Sequence, residues 1–257
     1  MEQTKGAVEA PTRQSGSVFC WQPAQLTGRQ TAGGYARIEL TTGAPLAAAQ
    51  PGQFVMLRQG TDPLLPRPFS VLGVEGRQLI LLLRAEGRLR SRLAHLQLGE
   101  ELEVRGPHGM PFAHRLAPDR RYLLVGGGCG IAPLAFFWRR HPERVAGAAL
   151  GARGRGLAQL LPDVPLTVEE DGGQTAVAEA VRRWAPDSGV IVCGPPGMLA
   201  AAAAAFRGRP GVFLALEQRM GCGIGACQGC VVMTRSGPKR VCRDGPLFSL
   251  EELGWPT

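Results

Sequence analysis

From about Ser17 to Gly109, hydrophobic and polar residues alternate over short segments that Gly or Pro residues separate. Such alternation is typical of strands that bury one face, and a succession of them favours an antiparallel barrel or sandwich. One helical spacing interrupts them, with Leu89, Leu93 and Leu96 along one side of a helix over about residues 90–98. The predicted strands are Tyr35–Leu40, Gln53–Arg58, Gln78–Leu83 and Glu101–Val104.

After Pro118 the pattern changes to continuous apolar strands that alternate with helices, which indicates a parallel α/β sheet. The predicted strands are Tyr122–Val125, Val145–Leu150, Pro165–Glu169 and Val190–Cys193, and the predicted helices are a segment ending at about Arg140, Ala176–Trp184 and Met198–Phe206. We therefore expect four parts in chain order: a flexible leader (residues 1–16), a β-barrel (17–116), an α/β domain (117–211) and a small cysteine-rich module (212–257).

The composition of the 257-residue chain narrows the function classes. Its net charge of +8 comes mainly from scattered arginines, without a polybasic arm or a helix-turn-helix pattern, so we expect no nucleic-acid partner. No run of about 18 apolar residues predicts a membrane span, and the first residues lack the pattern of a secretory signal. We therefore expect a cytoplasmic protein without a membrane partner.

Four cysteines near the C-terminus have the spacing C-x4-C-x2-C-x11-C, and the first three lie in the glycine-rich run Gly221–Cys230. The spacing of these three is that of plant-type [2Fe–2S] ferredoxins. A loop around a small inorganic cluster needs backbone conformations that glycine adopts at low cost, and it aims N–H groups at the sulfurs. The predicted ligands are Cys222, Cys227, Cys230 and Cys242.

Zinc and disulfides are the alternatives at these cysteines. Structural zinc sites usually pair their cysteines in C-x2–4-C knuckles, which this run matches poorly. Disulfides require an oxidising compartment, and Rieske-type ligation needs two His residues, whereas none of the four His residues lies in this region. The pattern thus favours iron–sulfur over zinc, and disulfides last. The remaining cysteines, which we expect to be buried and inert, are Cys20, Cys129 and Cys193.

A glycine cluster follows the strand predicted at Tyr122–Val125 and precedes a helix. Glycines in such a turn let the pyrophosphate of a dinucleotide approach the N-terminus of the helix, where unpaired N–H groups face it. The candidate binding residues of this turn are Gly126, Gly127, Gly128, Gly130 and Pro133. Arg153, after the next predicted strand, is placed to reach the adenosine end, although a surface arginine explains it about equally well.

Two further motifs resemble the ferredoxin–NADP reductase superfamily. Arg67-Pro68-Phe69-Ser70 matches the family's FAD-binding R-P-x-S motif, in which Arg contacts the pyrophosphate and Ser approaches the flavin N5 edge. Cys193-Gly194-Pro195 matches a turn that lies beside the nicotinamide in relatives. The resemblance also implies FAD contacts from the end of the following strand and from the segment that replaces the family's G-x-G-T-x-x-L turn, whose second Gly and Thr are missing. These candidates are Leu83, Arg84, Arg90 and Ser91.

The cysteine block makes the resemblance more specific. Glu217–Val232 and Val241–Phe248 closely resemble two motifs, E-x-R-M-x-C-G-I-G-A-C-x-G-C and V-C-x-D-G-P-x-F, of the electron-transfer subunit of dihydroorotate dehydrogenase B. The resemblance covers nearly all of the chain after residue 17. It implies an antiparallel FAD-binding barrel, a parallel-sheet NAD-binding domain and a C-terminal [2Fe–2S] module. It also implies an NAD-linked flavin and iron–sulfur oxidoreductase subunit of pyrimidine biosynthesis, with no catalytic acid or base of its own.

In that family the partner is an FMN-containing catalytic subunit that oxidises dihydroorotate to orotate, in a hetero-tetramer with two copies of each subunit. Electrons pass from it through the [2Fe–2S] cluster to FAD and then to NAD+. The alternatives are a reductase component for an oxygenase, sulfide or ferredoxin system, and a zinc-bearing module on a degenerate reductase scaffold. The choice between NAD and NADP stays open.

A cluster that serves another protein must lie near the surface. We therefore expect the loop Gly221–Gly229 to be partly exposed, with an apolar rim that marks an interface. Met220, Ile224 and the segment Val241–Phe248 are candidates for that rim, or for covering the cluster from inside.

Overall fold

The computed structural model of the chain describes residues 19–46, 49–60, 65–152, 156–168 and 174–254. The strands in these ranges are β1 Gln22–Ala32, β2 Tyr35–Thr42, β3 Phe54–Arg58, β4 Arg67–Glu75, β5 Gln78–Arg84, β6 Glu101–His108, β7 Tyr122–Gly127, β8 Val145–Ala152, β9 Leu166–Val168, β10 Gly189–Cys193, β11 Val212–Ala215, β12 Val231–Thr234, β13 Gly237–Arg240 and β14 Leu247–Ser249. The α-helices are α1 Arg88–His95, α2 Ile131–Arg140, α3 Gly156–Leu160, α4 Gln174–Arg183, α5 Pro196–Ala205, α6 Val241–Asp244 and α7 Leu250–Leu253. No helix in these ranges is long and apolar enough to cross a membrane.

Strands β1 to β6 close into an antiparallel barrel in the order β1-β2-β5-β4-β3-β6. The segments with alternating residues form the wall of the barrel. Their apolar side chains point into it and their polar side chains point out, because successive side chains of a strand point to opposite faces. On β6, for example, Leu102, Val104 and His108 are buried, while Glu103 and Arg105 between them are more accessible. The predicted antiparallel barrel is therefore confirmed, and α1 follows its fifth strand close to where the leucine spacing predicts a helix.

The second domain is built on a six-stranded sheet in the order β14-β11-β10-β7-β8-β9. Strands β7 to β11 run parallel to their neighbours in this sheet. Their continuous apolar runs are covered on both faces, as in Tyr122–Gly127, where every residue is buried. The predicted parallel α/β sheet is confirmed. Strand β14, which the sequence pattern does not predict, extends the sheet antiparallel to β11.

The C-terminal segment is fastened to the rest of the chain by polar contacts. Helix α7 begins at a capping box, in which the Ser249 hydroxyl accepts from the N–H of Glu252 and the Glu252 carboxylate accepts from the N–H of Ser249. The same carboxylate pairs with Arg115 at 3.3 Å, and Arg115 also donates to the carbonyl of Asp244 at 3.0 Å. These contacts attach the C-terminal segment to the stretch of chain that connects β6 with β7.

The barrel and the α/β sheet share a hydrophobic core. Tyr35, Leu72 and Leu82 of the barrel belong to the same buried cluster as Leu124 of β7 and Phe137 of α2. Packing of this kind fixes how two layers sit against each other. The candidate cofactor residues of the barrel and of the sheet are therefore held in a fixed arrangement.

Candidate cofactor sites

The four predicted cluster cysteines lie in two pairs. The Sγ atoms of Cys230 and Cys242 are 3.2 Å apart. The backbone N–H of Cys227 donates to the Sγ of Cys222 at 3.3 Å, so these two residues lie side by side. Two thiol pairs are the arrangement that two irons need when each takes two protein ligands.

A two-stranded ribbon makes the pair formed by Cys230 and Cys242. Val231 of β12 is the register partner of Arg240 of β13, and the N–H of Val241 donates to the carbonyl of Cys230 at 3.0 Å. The two cysteines are separated by the C-x11-C spacing in the chain, and the ribbon brings them together at its open end. The residues between Cys230 and Cys242 are thus mainly those of the two ribbon strands and their turn.

The other pair lies in a loop whose backbone depends on glycine. Gly223 and Gly225 have φ values of +68° and +84°, in the left-handed region that other residues adopt with strain. A Cβ atom at Gly223 would also lie 2.7 Å from the Cγ of Met56 on β3. The loop is therefore pressed against the barrel at this point, which leaves no room for a side chain.

Hydrogen bonds favour the thiolate form of Cys222. Burial disfavours the charged sulfur, but backbone N–H groups, including those of Cys227 and Ile224, outweigh it and lower the pKa of Cys222 to about 7. Cysteine ligands bind metal as thiolates, so this loop is prepared for one. No three His, Cys, Asp or Glu side chains within the described ranges converge as a single-ion site requires. The paired thiols and the directed N–H groups fit a two-iron cluster.

The cluster loop is partly exposed, as predicted. Residues 226–229 are accessible to solvent, while Gly223 and Gly225 are buried. We expected Met220 and the segment Val241–Phe248 either to form an exposed apolar rim or to cover the cluster from inside. The structure shows the second arrangement, because the side chains of Met220, Val241, Leu247 and Phe248 are buried. They cover the loop from inside, since this segment leads into β14 within the sheet. Exposed apolar side chains next to the loop are instead Val231 and Met233 of β12, at 37% and 69% exposure.

Three predicted FAD-binding cations lie at one edge of the barrel. Strands β4 and β5 are antiparallel, so Arg67 at the start of β4 lies at the same edge as Arg84 at the end of β5. Arg90 lies in α1, which follows this edge directly. All three side chains are exposed. Guanidinium groups gathered at an open edge suit an anionic pyrophosphate.

The uncharged members of the predicted FAD site divide into two groups. Phe69 and Leu83 are buried in the barrel core, at 5% and 1% exposure, so only their backbone faces outward. Pro68, Ser70 and Ser91 are half-buried and border the same edge. The first group shapes the edge, whereas Ser70 and Ser91 retain hydroxyl groups near it.

The two predicted nucleotide turns touch each other, because β7 and β10 are neighbours in the sheet. A Cβ atom added to Gly130 would lie 2.5 Å from the carbonyl carbon of Cys193 and 2.7 Å from the nitrogen of Gly194. One added to Gly127 would lie 3.3 Å from the Cδ of Pro195. At Gly130 the obstructing atoms are backbone atoms, whereas at Gly127 they belong to side chains. These glycines therefore reflect the close approach of the two turns as well as room for a ligand.

The remaining members of the glycine turn lie close to the barrel and to α2. Gly126, the last but one residue of β7, is fully enclosed, and Pro133 is buried in the first turn of α2. Gly128 has a φ of +56°, and a Cβ atom there would lie 3.5 Å from the hydroxyl of Tyr35 on β2. The turn is thus bordered by a barrel side chain on one side and by a helix N-terminus on the other.

The FAD edge and the nucleotide turns meet in a single cleft. The Cys129 thiol lies against the backbone of Arg84, and burial raises its pKa to about 12. Burial also raises the pKa of the Cys193 thiol. Glu217 faces both thiols, and its side chain is accessible from the cleft. Desolvation by the surrounding protein raises the pKa of Glu217, while the positive charge of Arg90 lowers it. Groups from the barrel, the sheet and the cysteine segment therefore converge here.

Two expectations about single residues have other outcomes. Arg153, the candidate for the adenosine end, lies outside the described residues. Cys20 is exposed and Cys129 is half-buried, so of the three remaining cysteines only Cys193 is buried as expected. Cys20 lies in the short described segment before β1.

Comparison with known proteins agrees with this geometry. The model of the iron–sulfur cluster binding domain of dihydroorotate dehydrogenase B matches residues 217–254. The dihydroorotate dehydrogenase B (NAD(+)) electron transfer subunit of Geobacillus thermodenitrificans (strain NG80-2) is 36% identical over 236 residues, covering 84% of this chain and 91% of that protein. The chain belongs to this family of electron transfer subunits. The corresponding subunit of Caldanaerobacter subterraneus subsp. tengcongensis is 34% identical over 215 residues, covering 79% of this chain and 86% of the relative.

Solved structures share the fold of this electron transfer subunit at lower identity. A chain of the NADH-dependent reduced ferredoxin-NADP oxidoreductase superposes with a TM-score of 0.77 and is 24% identical, over 90% of each chain. The ferredoxin reductase in carbazole 1,9a-dioxygenase superposes with a TM-score of 0.63 and is 20% identical, over 76% of this chain and 68% of that one. This chain therefore shares its fold with these oxidoreductases over most of its length.

Sequence reasoning missed three residues near the cofactor sites of this subunit. Glu217 belongs to the quoted E-x-R-M motif, and its place directly after a parallel strand is where ligands bind α/β sheets, which is a usable signal. Arg105 and His108 of β6 approach the cysteine loop through contacts distant in sequence. Nothing in the local pattern of β6 points to those contacts.

Proposed function

We propose that this electron transfer subunit moves electrons between NAD and a dihydroorotate dehydrogenase B catalytic subunit, through FAD and a [2Fe–2S] cluster. The observation that carries the proposal is the cysteine loop. It matches the iron–sulfur model of that enzyme and stands in a chain 36% identical to a subunit with this name. In this proposal the barrel edge binds FAD and the nucleotide turns bind NAD.

The three cofactors have complementary chemistry. When bound, the cluster passes one electron at a time, whereas nicotinamide exchanges two electrons as hydride, so a flavin has to stand between them. The protein then has to bind the groups, set their distances and exclude water. None of this requires a residue that donates or accepts a proton in a covalent step.

The proposed roles of the residues follow from their places in the cleft. Arg67, with Arg84 and Arg90, holds the pyrophosphate of FAD by charge-assisted hydrogen bonds. Ser70 borders the flavin ring, and the glycine turn of residues 126–130 holds the pyrophosphate of NAD at the start of α2. The turn of residues 193–195 then borders the nicotinamide.

The cleft thiols have a passive role in this proposal. Burial raises the pKa of both Cys129 and Cys193, so each stays protonated at neutral pH. A protonated thiol is a poor nucleophile, which suits a site that should form no covalent adduct with cofactors. Cys193 thus serves as a small side chain that lets the ring of the nucleotide approach.

The chain is proposed to work with an FMN-containing catalytic subunit, in a hetero-tetramer with two copies of each subunit. Residues 226–229 are exposed beside Val231 and Met233, and an exposed redox loop next to apolar side chains is what such an interface needs. We assign residues 17–116 to FAD, 117–211 to NAD and 212–257 to the cluster, after a leader of residues 1–16. A group held by four thiolates suits a reducing compartment such as the cytoplasm.

Reconstitution tests this function. The purified chain should contain two irons, two labile sulfides and one FAD, and it should reduce dyes with NADH but not oxidise dihydroorotate. Adding an FMN-type dihydroorotate dehydrogenase subunit from the same source should create dihydroorotate:NAD+ activity and a stable complex. Zinc without labile sulfide, activity on dihydroorotate by the chain alone, or pairing with an oxygenase or ferredoxin instead would contradict the proposal.

A pair of variants tests the proposed interface. Met233→Glu places a charge beside the cluster loop, while Leu98→Glu makes the same kind of change at an equally exposed residue, 67% against 69%, just before β6 begins. The cluster loop contacts the other end of β6. We expect Met233→Glu to weaken the complex and Leu98→Glu to leave it unchanged, measured by analytical ultracentrifugation of the mixed subunits. Equal behaviour of the two variants would move the interface elsewhere.

A further inference from the structure

A cation from the barrel contacts the cysteine loop. Arg105 lies on β6, and its guanidinium donates a hydrogen bond to the backbone carbonyl of Cys222, a predicted cluster ligand. The same guanidinium stacks on the Trp21 ring, 4.6 Å from the ring centre. The contact spans 117 positions of the chain, so it is a tertiary contact between the barrel and the loop.

The charge of Arg105 has no acidic partner within the described residues. The neighbouring carboxylate, Glu103, pairs with Arg58 at 2.6 Å, and Arg58 also stacks on the Trp21 ring, 4.4 Å from its centre. The guanidinium instead faces the cysteine loop, through its hydrogen bond to the Cys222 carbonyl. The Nε atom of Arg105 is buried and has no hydrogen-bond partner in the part of the chain that the structure describes.

The same strand carries a second buried nitrogen, on His108. His108, also on β6, is 6% exposed, and its Nε2 atom has no hydrogen-bond partner among the described residues. Its Cδ2 atom, next to that nitrogen in the ring, would be 3.5 Å from a Cβ atom at Gly223. Burial and then the charge of Arg105 lower the pKa of His108 to about 4, so the imidazole is neutral at pH 7. The buried imidazole of His108 and the half-buried guanidinium of Arg105 thus face the Cys222–Gly223 turn, and of these two only Arg105 carries charge.

Charge near a cluster acts on its reduction potential. Reduction adds one negative charge to the cluster, and a nearby cation shielded from water stabilises the reduced form more than the oxidised form. A cation of the same kind in open water has a much smaller effect, because solvent screens it. Arg105 is half-buried and held in place on both sides by Trp21 and the Cys222 carbonyl.

We propose that Arg105 is a positioning residue that fastens the Cys222–Gly223 turn to the barrel and raises the reduction potential of the cluster held there. This inference rests on the proposed function, since it requires the cluster. It adds that a residue of the flavin-binding barrel, outside the segment that carries the cysteines, helps to set the reduction potential of the cluster. The barrel and the cluster segment then form one redox unit.

The test uses the full chain with its flavin and cluster, in a redox titration monitored by the electron paramagnetic resonance of the reduced cluster. Arg105→Gln should shift the ratio of reduced to oxidised cluster about tenfold toward the oxidised form at fixed ambient potential, which is a fall of 59 mV for one electron. Arg105→Lys, which keeps the charge, should stay within about twofold of the wild type.

Arg243→Gln is the matched control. Arg243 also contacts the cysteine loop, with its Cδ atom 3.0 Å from a Cβ atom placed at Gly225, but its side chain is exposed. Removing this solvated charge should change the ratio less than about twofold. An equal shift in Arg243→Gln and Arg105→Gln would overturn the argument from burial, and an unshifted Arg105→Gln would overturn the proposal outright.

Two further outcomes are distinguishable. A wild-type chain without a cluster signal contradicts the proposed function itself, before any variant is compared. If Arg105→Gln does not retain iron, Arg105→Lys decides between the outcomes. Iron retained at the wild-type potential supports a role for the charge. A tenfold fall in the ratio of reduced to oxidised cluster, or loss of iron in this variant too, overturns it.

Discussion

Substituting Gly130 by alanine tests the contact between the two nucleotide turns. The backbone of Gly130 is helical in conformation, so alanine meets no φ penalty there. The only obstacle is space: the new Cβ atom would lie 2.5 Å from the carbonyl carbon of Cys193 and 2.7 Å from the nitrogen of Gly194. Both are backbone atoms, which cannot rotate away as a side chain can. The turn of residues 193–195 therefore has to separate from the glycine turn.

The cost of this separation is that of overpacking a dense interior. Inserting one carbon where no space exists typically costs about 1–3 kcal/mol, because the backbone has to shift. For a chain of this size, about 1 kcal/mol changes Tm by roughly 2–4 °C. We therefore expect Gly130→Ala to lower Tm by about 2–12 °C. It should also weaken NADH binding, because the two turns that border the nucleotide no longer meet.

Gly197→Ala is the control for this prediction. Gly197 lies in α5, a few residues after the second turn, and a Cβ atom there meets nothing within 4 Å. Alanine in a helix is favoured over glycine by up to about 1 kcal/mol, so this variant should unfold at the same temperature or higher. Scanning calorimetry and NADH titration of the flavin give the two quantities. A Gly130→Ala protein with unchanged Tm and NADH affinity would refute the idea that the turns are in close contact.

Three other predictions concern the cofactors and pH. Arg67→Ala should release FAD without loss of iron, because a charge-assisted contact to phosphate contributes about 1.5–3 kcal/mol. Flavin absorbance after dilution measures the release, and retained flavin would show that other residues bind the pyrophosphate. Cys227→Ser should abolish the cluster, while Cys20→Ser, at an equally exposed cysteine, should keep it, as iron and sulfide assays can check. The pKa of His108 falls to about 4 on folding, so stability should decline as pH falls from about 6.5 through about 4, by about 2 kcal/mol at pH 5. Urea unfolding of His108→Gln should lack that part of the decline, and an unchanged pH dependence would contradict the assignment.

The periodicity of the sequence was sufficient to predict the two main layers. Alternation along Glu101–Val104 marks a strand with one buried face, and the continuous run Tyr122–Val125 marks a strand covered on both. These patterns exist because burial in each layer repeats with the period of a strand. The cysteine spacing likewise predicts which thiols come together, since the ribbon geometry is local.

What the sequence could not provide is contact between distant segments. Strand β14 has only the three residues Leu247–Ser249, too few for a periodic pattern, and its pairing with β11 depends on the sheet already being present. The approach of Arg105 to Cys222 depends on how the barrel and the cysteine loop pack, which no spacing along β6 encodes. Glu217 is intermediate, because its position after a strand is visible in the sequence but its neighbours in the cleft are not.

The pairing of β11 with β14 has a consequence for how the redox segment could be exchanged. Ala215 and Leu247 are register partners, and the N–H of Leu216 donates to the carbonyl of Pro246 at 2.9 Å. Everything from residue 217 to residue 245 therefore leaves the sheet and returns to it at one point. In topological terms the cluster region is the oversized turn of a β-hairpin, an insertion whose two ends already touch. A two-residue turn of the Asn-Gly kind could close the same hairpin and leave the edge of the sheet intact. The pairing of β11 with β14 thus makes the length and content of the segment between them independent of the sheet, so a cluster segment of another length could enter and leave the sheet at the same point.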